Sequence, residues 1–313
     1  MTKLCGRCNA NEAVIYLNYA RLWLCKDCFI KFYLRRVEKT IDKYKMLRNF
    51  RVVGVAISGG KDSASLLHAL KTLSSDIEFI AFHVNAGIGE YSRESEKKAR
   101  ELAEMLDVEI YVYRYRDVDG FEIPDFKNTK YDKRICATCS TLRRWTLNKL
   151  AREYRVNALA LGHNLDDTVE IMLNLFLTGE FDQLRRLKPV LPPMHPSQVW
   201  RIKPLIKIPE FDNLYYASYS NLPFRYGKCP YAKGARSIRR KKILDIWERR
   251  ERNIKFQLFS IFTNKLIPIL DKTLPREEYN TCKICGGASY GDVCSACKIK
   301  QYIISLKQSS SDH

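Results

Sequence analysis

The sequence predicts an α/β protein in which a parallel sheet domain is flanked by an N-terminal and a C-terminal four-cysteine zinc module. Three observations lead to this fold class. Apolar runs alternate with helical patterns from Arg51 onward, which is typical of a parallel sheet covered on both faces. A glycine turn at 58–63 directly follows the first apolar run, 52–57. Two CxxC pairs stand near each end of the 313-residue chain.

The first segment, 1–49, predicts a zinc ribbon followed by a linking helix. Two CxxC pairs separated by sixteen residues match a four-cysteine zinc site in which tight turns supply the ligands, Cys5, Cys8, Cys25 and Cys28. Short strands are expected at 13–18 and 21–24. A basic amphipathic helix is expected at 29–48. The alternative interpretation of these cysteines is a set of reduced core thiols without a metal.

The second segment, 50–225, predicts the parallel sheet domain. Strands are expected at 52–57, 78–84, 108–113 and 158–161, and helices at 63–73, 92–106, 141–154, 166–177 and 211–221. The prolines from Pro189 to Pro209 mark a connecting region. Ligands of such sheets bind at the carboxyl ends of the strands, where the glycine turn is expected.

This turn reads Ser58-Gly59-Gly60-Lys61-Asp62-Ser63 and predicts a phosphate-binding loop. Adjacent glycines let backbone amides approach an anion, and the following helix N-terminus favours negative charge. It is not a Walker A loop, because Gly60 occupies the position that the Walker lysine would need when the spacing is counted from Gly54. The alternative is a glycine turn without function.

Three further segments complete the expected organisation. Residues 226–270 predict a basic helical extension with one helix over 235–262, whose Arg236–Arg252 part favours RNA binding, although a solvated helix face is the ordinary alternative. Residues 271–306 predict a second zinc module with the ligands Cys282, Cys285, Cys294 and Cys297. The polar tail 307–313 is expected to be disordered.

Composition restricts the class of protein. The formal net charge of +19 favours a polyanionic partner, and the 28% of charged residues fits heat adaptation, as in a thermophile. No apolar run approaches the roughly 20 residues that cross a bilayer, and no signal peptide precedes Cys5. We therefore expect a cytoplasmic protein without a membrane partner, whose eleven cysteines serve metals rather than disulfides.

Three cysteines remain outside the zinc modules: Cys136, Cys139 and Cys229. A CxxC just before a helix is expected to have lowered thiol pKa values. Three interpretations stay open: inert core thiols, a disulfide or persulfide pair that carries sulfur, and three ligands of an iron–sulfur cluster. Three ligands would leave one iron of a 4Fe–4S cluster open for chemistry.

The glycine loop, the CxxC at Cys136 and Cys139, the lone Cys229 and the paired zinc modules together resemble the TtuA-type tRNA 2-thiouridine synthetases of the PP-loop ATP pyrophosphatase superfamily. The stretch from Leu161 to Asp167, Leu-Gly-His-Asn-Leu-Asp-Asp, looks like the second ATP-site motif of that family. Position 143 holds Arg where some relatives have Lys, which argues against a proton donor there.

The resemblance implies a site for ATP and Mg²⁺ and a 4Fe–4S cluster on Cys136, Cys139 and Cys229. The implied ATP-binding residues are Ala56, Ile57, Ser58, Gly59, Gly60, Lys61, Asp62, Ser63, His83, Gly162 and Asp167. The implied catalytic residues are Lys61, Asp62, Asp167 and the three cysteines. The uridine O2 would attack the α-phosphate, and sulfur held at the open iron would then replace AMP at C2. His83 and His163 are candidates for acid–base groups or for packing and capping residues.

The resemblance also implies tRNA as substrate, a ubiquitin-like thiocarboxylate protein as sulfur donor and a homodimer. T-loop uridine 54 is the expected target, and the wobble uridine 34 is the alternative, which the pair Arg143-Arg144 favours. Two other classes stay open. One is an amidotransferase or lysidine-type ligase on the same fold, and the other is a non-catalytic zinc-ribbon RNA-binding protein.

Overall fold

The computed structural model describes residues 3–232, 236–275 and 278–311. Its strands are β1 (Ile15–Leu17), β2 (Leu22–Leu24), β3 (Val52–Ala56), β4 (Glu78–Asn85), β5 (Glu109–Arg114), β6 (Ala158–Ala160), β7 (Val190–Leu191), β8 (Trp200–Ile202), β9 (Asn280–Thr281) and β10 (Ala288–Ser289). Six of them form the central sheet in the order β5-β4-β3-β6-β8-β7, and two antiparallel pairs, β1-β2 and β9-β10, lie near the chain ends.

The central sheet is parallel except at one edge, where β7 pairs antiparallel with β8. The expected α/β fold class is thus confirmed. The connecting region from Pro189 to Pro209 also contributes two strands to the sheet, β7 and β8, which the sequence did not predict. β7 is the edge strand, and β8 lies between β6 and β7. Both strands have only two or three residues, too few to give a strand pattern between the prolines.

The helices are α1 (Lys26–Lys43), α2 (Lys61–Leu73), α3 (Gly89–Met105), α4 (Tyr115–Asp119), α5 (Ile135–Glu153), α6 (Leu165–Leu177), α7 (Phe181–Leu184), α8 (Glu210–Tyr219), α9 (Arg236–Arg250), α10 (Ile254–Ile261), α11 (Ile267–Thr273) and α12 (Ser295–Ser311). The helices α2, α3 and α5 cross between parallel strands, as in other sheets of this class. No helix in the described ranges is both long and apolar enough to span a bilayer.

Alternation along the strands separates the core into two layers. Val53 and Val55 of β3 belong to one hydrophobic cluster, which also holds the buried side chains of α2 and α8. Ile80 and Phe82 of β4 belong to a second cluster, together with buried residues of α5. Successive strand residues face opposite sides of a sheet, so the two clusters cover its two faces.

The two four-cysteine modules pack on opposite faces. Phe29 and Tyr33 of α1 join the cluster of α2 and α8, whereas Ile299 and Ile303 of α12 join the cluster of α5. The linking helix begins at Lys26 and ends at Lys43 rather than spanning 29–48. It starts early because Cys25 occupies its N-cap position, and its burial centres on Phe29, Tyr33 and Val37.

The single basic helix expected over 235–262 is two helices, and Ala235 lies outside the described residues. α9 ends at Arg250, and Asn253 takes a left-handed conformation with φ of 70°. The Glu248 carboxylate accepts hydrogen bonds from the backbone N–H groups of Asn253 (2.9 Å) and Lys255 (3.1 Å). These bonds satisfy donors at the start of α10, which explains the break.

The expected disordered tail is also wrong for residues 307–311, because α12 continues to Ser311. Ile303 is 2% exposed, and the Lys307 ammonium pairs with Asp125 at 2.5 Å and donates to the Gly120 carbonyl at 3.0 Å. These contacts hold the last turns of the helix against the parallel sheet domain. Residues 312 and 313 lie outside the described range.

Candidate active site

The glycine loop lies between the carboxyl end of β3 and the first turn of α2. Ser63 Oγ accepts a hydrogen bond from the Ser58 N–H (3.0 Å) and donates to the Gly60 carbonyl (2.9 Å). Gly59 has φ of +77°, and Gly60 is the N-cap of α2. The two serines therefore brace a tight loop whose backbone amides and helix N-terminus form a site for an anion.

Lys61 is the first residue of α2, and its ammonium group pairs with two carboxylates. It lies 2.8 Å from Asp62 Oδ2 and 2.9 Å from Glu210 Oε1. Burial lowers its pKa, but the two carboxylates outweigh this and raise it, so Lys61 remains charged. Glu210 begins α8, which places the carboxylate beside the loop.

The Asp62 carboxylate is oriented by two side-chain amides. Asp62 Oδ1 accepts hydrogen bonds from Asn164 Nδ2 (3.0 Å) and Asn213 Nδ2 (2.8 Å). Asn164 is also the N-cap of α6, where its Oδ1 accepts from the Asp167 N–H at 2.8 Å. One asparagine thus connects the two sequence motifs, and the carboxylates of Asp62 and Asp167 share one site.

Asp167 pairs with Lys241 of α9, and Lys241 also pairs with Glu210 Oε2 at 2.8 Å. Burial raises the pKa of Asp167, and Lys241 opposes that effect. The Glu210 carboxylate thus bridges Lys61 and Lys241. These side chains line one cavity of about 760 Å³, so the basic helix α9 contributes directly to the loop site.

Gly162 and the strand-end residues Ala56 and Ile57 border the loop from the sheet side. A Cβ at Gly162 would lie 3.4 Å from the Ser63 nitrogen, which shows how closely the second motif approaches the start of α2. The Ile57 N–H donates to the Phe82 carbonyl at 2.9 Å. The first motif is thereby joined to β4 at the same sheet edge.

The three remaining cysteines line a second cavity of about 670 Å³, together with Arg143 and His163. Cys136 and Cys139 lie in the first turns of α5, whereas Cys229 arrives from the segment after α8. The Cys136 thiol donates to the Tyr231 carbonyl at 3.2 Å. The fold thus brings together residues separated by about ninety positions in the chain.

The donor set of this cavity fits a cluster better than a single ion. Among the described residues, sulfur atoms within 4.8 Å of one another occur in groups of four only at the two terminal modules, and the three thiols here are more widely spaced. A cubane cluster takes each thiolate on a different iron. The half-buried Arg143 guanidinium lies beside the Cys139 thiol, and its charge suits an anionic group.

The expectation of lowered thiol pKa values at the CxxC is wrong. Burial raises the pKa of Cys136 and of Cys139, and the Arg143 guanidinium only partly opposes this for Cys139. α5 begins at Ile135 rather than at 141, so the pair lies within its first turns. Desolvation of the thiolates there outweighs the helix dipole.

The two histidine candidates differ. His83 lies inside β4, is 2% exposed and bonds through Nδ1 to the Ile57 carbonyl at 2.9 Å. His163 follows β6 and lines both the cysteine cavity and the loop cavity. Burial lowers the pKa of each to about 4. Both imidazoles are therefore neutral at neutral pH.

The terminal modules each bring four thiols together. The sulfur atoms of Cys5, Cys8, Cys25 and Cys28 lie within 4.8 Å of one another, as do those of Cys282, Cys285, Cys294 and Cys297. Four clustered thiols match the tetrahedral ligand set of a structural zinc site. The spacing of the CxxC pairs correctly predicted both four-cysteine groups.

Sequence reasoning missed several residues of the loop site. Glu210, Asn213 and Lys241 contact Lys61, Asp62 and Asp167 across more than 70 residues of chain. Asn164 had a local signal, because it lies within the second motif. The others had none, since α8 and α9 are brought to the loop only by packing on α2 and α6.

The comparisons with known proteins agree with this geometry. Residues 33–229 match the family model described as the PP-loop domain, and residues 4–30 match the N-terminal LIM domain of 2-thiouridine synthetase TtuA. The chain is 32% identical to the tRNA-5-methyluridine(54) 2-sulfurtransferase of Pyrococcus horikoshii, with 99% of this chain and 97% of that protein covered. It is 30% identical to the Thermus thermophilus enzyme of the same name, with 95% and 90% covered.

Among solved structures, the fold resembles the U34-tRNA thiolase NcsA from Methanococcus maripaludis with its [4Fe-4S] cluster. The TM-score is 0.79 and the identity 29%, with 96% of this chain and 97% of that chain covered. Both terminal modules and the sheet domain thus fall within a shared architecture. The chain belongs to the TtuA-type tRNA 2-thiouridine synthetases, a family of PP-loop enzymes.

Proposed function

We propose that this enzyme is an ATP-dependent tRNA sulfurtransferase that converts the T-loop uridine 54 to its 2-thio form. One observation carries the proposal: His163 lines both the three-cysteine cavity and the cavity that contains Lys61 of the glycine loop and Asp167. Activation of a base and delivery of sulfur would therefore take place side by side. The relatives named for 5-methyluridine 54 support the choice of position.

ATP would lie on the loop with its phosphates on the amides of Gly59 and Gly60 and beside the Lys61 ammonium. Asp62 and Asp167 would hold Mg²⁺, which prefers carboxylate oxygens. The uridine O2 attacks the α-phosphorus, and the bond to pyrophosphate breaks. This adenylation converts a poor leaving group at C2 into AMP. The sheet edge at Ala56, with Gly162, would border the adenosine.

Cys136, Cys139 and Cys229 would hold a 4Fe–4S cluster, which when bound supplies an iron position for the sulfur that is transferred. Arg143, beside Cys139, would balance the negative charge there. Sulfur delivered as hydrosulfide would add to C2 of the adenylated base; the C2–O bond would break, AMP would leave with that oxygen, and the sulfur would lose its proton. The apolar wall of the cavity, which includes Ile135 and Leu161, excludes water that would otherwise hydrolyse the adenylate.

The partners follow from the same reaction. Zinc in both terminal modules would stabilise surfaces for tRNA, and the basic helix α9 adds charge for phosphates. A ubiquitin-like protein ending in a thiocarboxylate would donate sulfur, as the family resemblance suggests, and a homodimer is the expected assembly.

The decisive experiment is nucleoside mass spectrometry on unmodified tRNA incubated without oxygen with the cluster-restored enzyme, ATP, Mg²⁺ and sulfide. Transcripts carrying U54C or U34C locate the product. We expect thiouridine to disappear with U54C and to persist with U34C. Asp62→Asn should abolish pyrophosphate formation, whereas Cys229→Ser should still form pyrophosphate and transfer no sulfur. Pyrophosphate formation that is independent of tRNA would contradict the proposal.

Wobble uridine 34 is the second candidate. The structural likeness to the U34-tRNA thiolase NcsA and the pair Arg143-Arg144 favour it. In this case the same transcripts give the opposite result, with thiouridine lost in U34C and retained in U54C.

A further inference from the structure

One end of the cysteine cavity collects positive charge that the reaction steps described above do not use. Five cationic side chains line the cavity: Arg143, Arg144, Arg186, Arg201 and Lys203. Among the residues that the structure describes, no Asp or Glu lines it. Arg143 lies beside Cys139. The other four cations are neighbours: besides burial, Arg144 and Arg186 lower the pKa of Arg201, and Arg201 contributes to the lowered pKa of Lys203.

In the part of the chain that the structure describes, no carboxylate pairs with Lys203 or Arg144. Lys203 is 7% exposed, and its ammonium donates to the Lys188 carbonyl at 2.9 Å. Burial, with a contribution from Arg201, lowers the pKa of Lys203 to about 8. The Arg144 guanidinium makes no hydrogen bond or ion pair within the described ranges. Grouping like charges in a partly buried wall is unfavourable unless an anion binds there.

An aromatic pair stands at the mouth of this charged end. The ring centroids of Tyr279 and Tyr290 are 5.0 Å apart at an interplanar angle of 38°. The Arg186 guanidinium lies 5.5 Å and 5.9 Å from the two centroids and donates to the Tyr290 hydroxyl. Tyr290 is 67% exposed. Both rings line a groove of about 380 Å³ that shares Arg144 and Asn148 with the cysteine cavity.

The chemistry of this surface fits unpaired RNA. Arginines bind backbone phosphates, and tyrosine rings stack on bases that have left a helix. Several cations and two tyrosine rings beside a reaction site fit a ligand that carries repeated negative charges and flat bases. A protein thiocarboxylate tail carries one charge at its end, and it would leave the aromatic pair without a role.

We propose that Arg144, Arg186 and Arg201 bind the backbone phosphates of unpaired nucleotides next to the target uridine, and that Tyr279 and Tyr290 stack on one of their bases. The inference rests on the proposed tRNA thiolation. It assigns the C-terminal module a part in placing the target base, in addition to a part in general RNA affinity.

The test measures binding of an unmodified tRNA transcript by the full-length, metal-loaded enzyme over a series of salt concentrations. Arg144→Gln and Arg186→Gln should each lower the slope of log K against log salt by about 0.7 to 0.9. Tyr290→Leu should weaken binding by about 5- to 150-fold and leave the slope unchanged. Arg116→Gln is the control, because Arg116 is exposed and pairs only with Glu122 in the described chain; it should behave as wild type.

Two further measurements keep the outcome unambiguous. Arg144→Lys should restore the slope, which a folding defect would not, and ATP affinity should match that of wild type in every variant. Wild-type slopes and affinities in both Gln variants would overturn the inference. If their thiolation then fell with a protein thiocarboxylate but not with sulfide, the occupant would be the donor tail. Absence of thiouridine with the wild-type enzyme would contradict the proposed function instead. The binding data would still test whether Arg144, Arg186 and Tyr290 bind RNA.

Discussion

At the residue scale, two independent constraints require glycine at position 59. Its φ of +77° lies in the left-handed region, and a Cβ would lie 2.2 Å from the backbone oxygen of Ser95. The first constraint strains any L-residue. The second would force the loop away from α3. A glycine here is therefore required by packing as well as by phosphate chemistry.

We expect Gly59→Ala to destabilise the protein and to remove measurable ATP binding, because the loop must move to admit the methyl group. Gly120→Ala is the matched control: it also has a positive φ, of 72°, but nothing lies within 4 Å of its added Cβ. The control should cost only about 1–2 kcal/mol of strain and bind ATP normally. Urea denaturation and calorimetric titration with ATP measure both effects. Equal losses in the two variants would contradict the packing argument.

A second residue-scale prediction concerns Glu96 of α3. Its carboxylate accepts hydrogen bonds from Arg114 (3.0 Å), Arg100 (3.0 Å) and Asn85 (2.8 Å). Burial favours a raised pKa, but these donors outweigh it and lower the pKa from 4.5 to about 2. The folded pKa lies below the unfolded one, so ionised Glu96 stabilises the native state above about pH 4.5. That contribution disappears as the pH falls toward 2.

Glu96→Gln should therefore lower the free energy of unfolding by about 1–2 kcal/mol at neutral pH, after discounting for solvent screening. The difference from wild type should shrink as the pH falls below about 4.5. Urea denaturation at several pH values provides the measurement. A difference that is independent of pH would show that shape, not charge, is responsible.

At the scale of elements, α9 illustrates how a charged helix acquires a specific place. Its exposed face carries arginines and lysines that any solvated helix could carry. Lys241, however, contacts both Glu210 and Asp167 at the proposed nucleotide site, and Arg240 pairs with the buried Glu170. These contacts connect the basic helix to the two sequence motifs.

Lys241→Met should raise the dissociation constant for ATP about tenfold, because Asp167 and Glu210 would then repel the triphosphate. A charged hydrogen bond worth about 1.5 kcal/mol corresponds to that factor. Arg249→Met, an exposed change on the same helix, should leave ATP affinity unaltered. Calorimetric titration with ATP in the absence of tRNA compares the two. Equal ATP affinities in the two variants would show that Lys241 does not contribute to ATP binding.

Across the whole molecule, a chain of contacts runs from the N-terminal module to the glycine loop. Tyr33 of α1 stacks on Tyr216 with ring centroids 3.9 Å apart, and its hydroxyl donates to Asn213 Oδ1 at 2.7 Å. The amide of Asn213 in turn donates to Asp62 at 2.8 Å. The module that precedes the catalytic domain therefore helps to orient a carboxylate inside it.

Tyr33→Phe leaves Asn213 Oδ1 buried without its donor, which should cost about 1–3 kcal/mol of stability. We also expect a several-fold weaker ATP affinity, because the amide is freed to turn away from Asp62. Tyr219→Phe, a half-buried tyrosine on the same helix as Asn213, provides the control and should change neither quantity by much. Thermal unfolding and ATP titration give the two readouts. An unchanged ATP affinity would confine the role of Tyr33 to packing.

The features that the sequence predicts correctly are those whose signal lies within a few neighbouring residues. The glycine loop, the CxxC pairs and the alternation of strands and helices are local patterns. All three appear in the structure, although α5 begins at Ile135 rather than at 141. The sequence did not predict the short strands β7 and β8 or the break at Asn253. β8 depends on pairing with β6, and the break depends on the Glu248 carboxylate; no local sequence pattern indicates either contact.

The sequence by itself determined the chemistry of this protein: which residues bring thiols in ligand spacing, and which loop offers amides to a phosphate. Those properties follow from residue type and from spacings of a few positions. Only the tertiary structure decided what surrounds them: Glu210 between two lysines, Asn213 on Asp62, and a cavity wall of arginines beside three cysteines. Electric fields and hydrogen bonds act through space, and the fold alone sets which distant residues share that space.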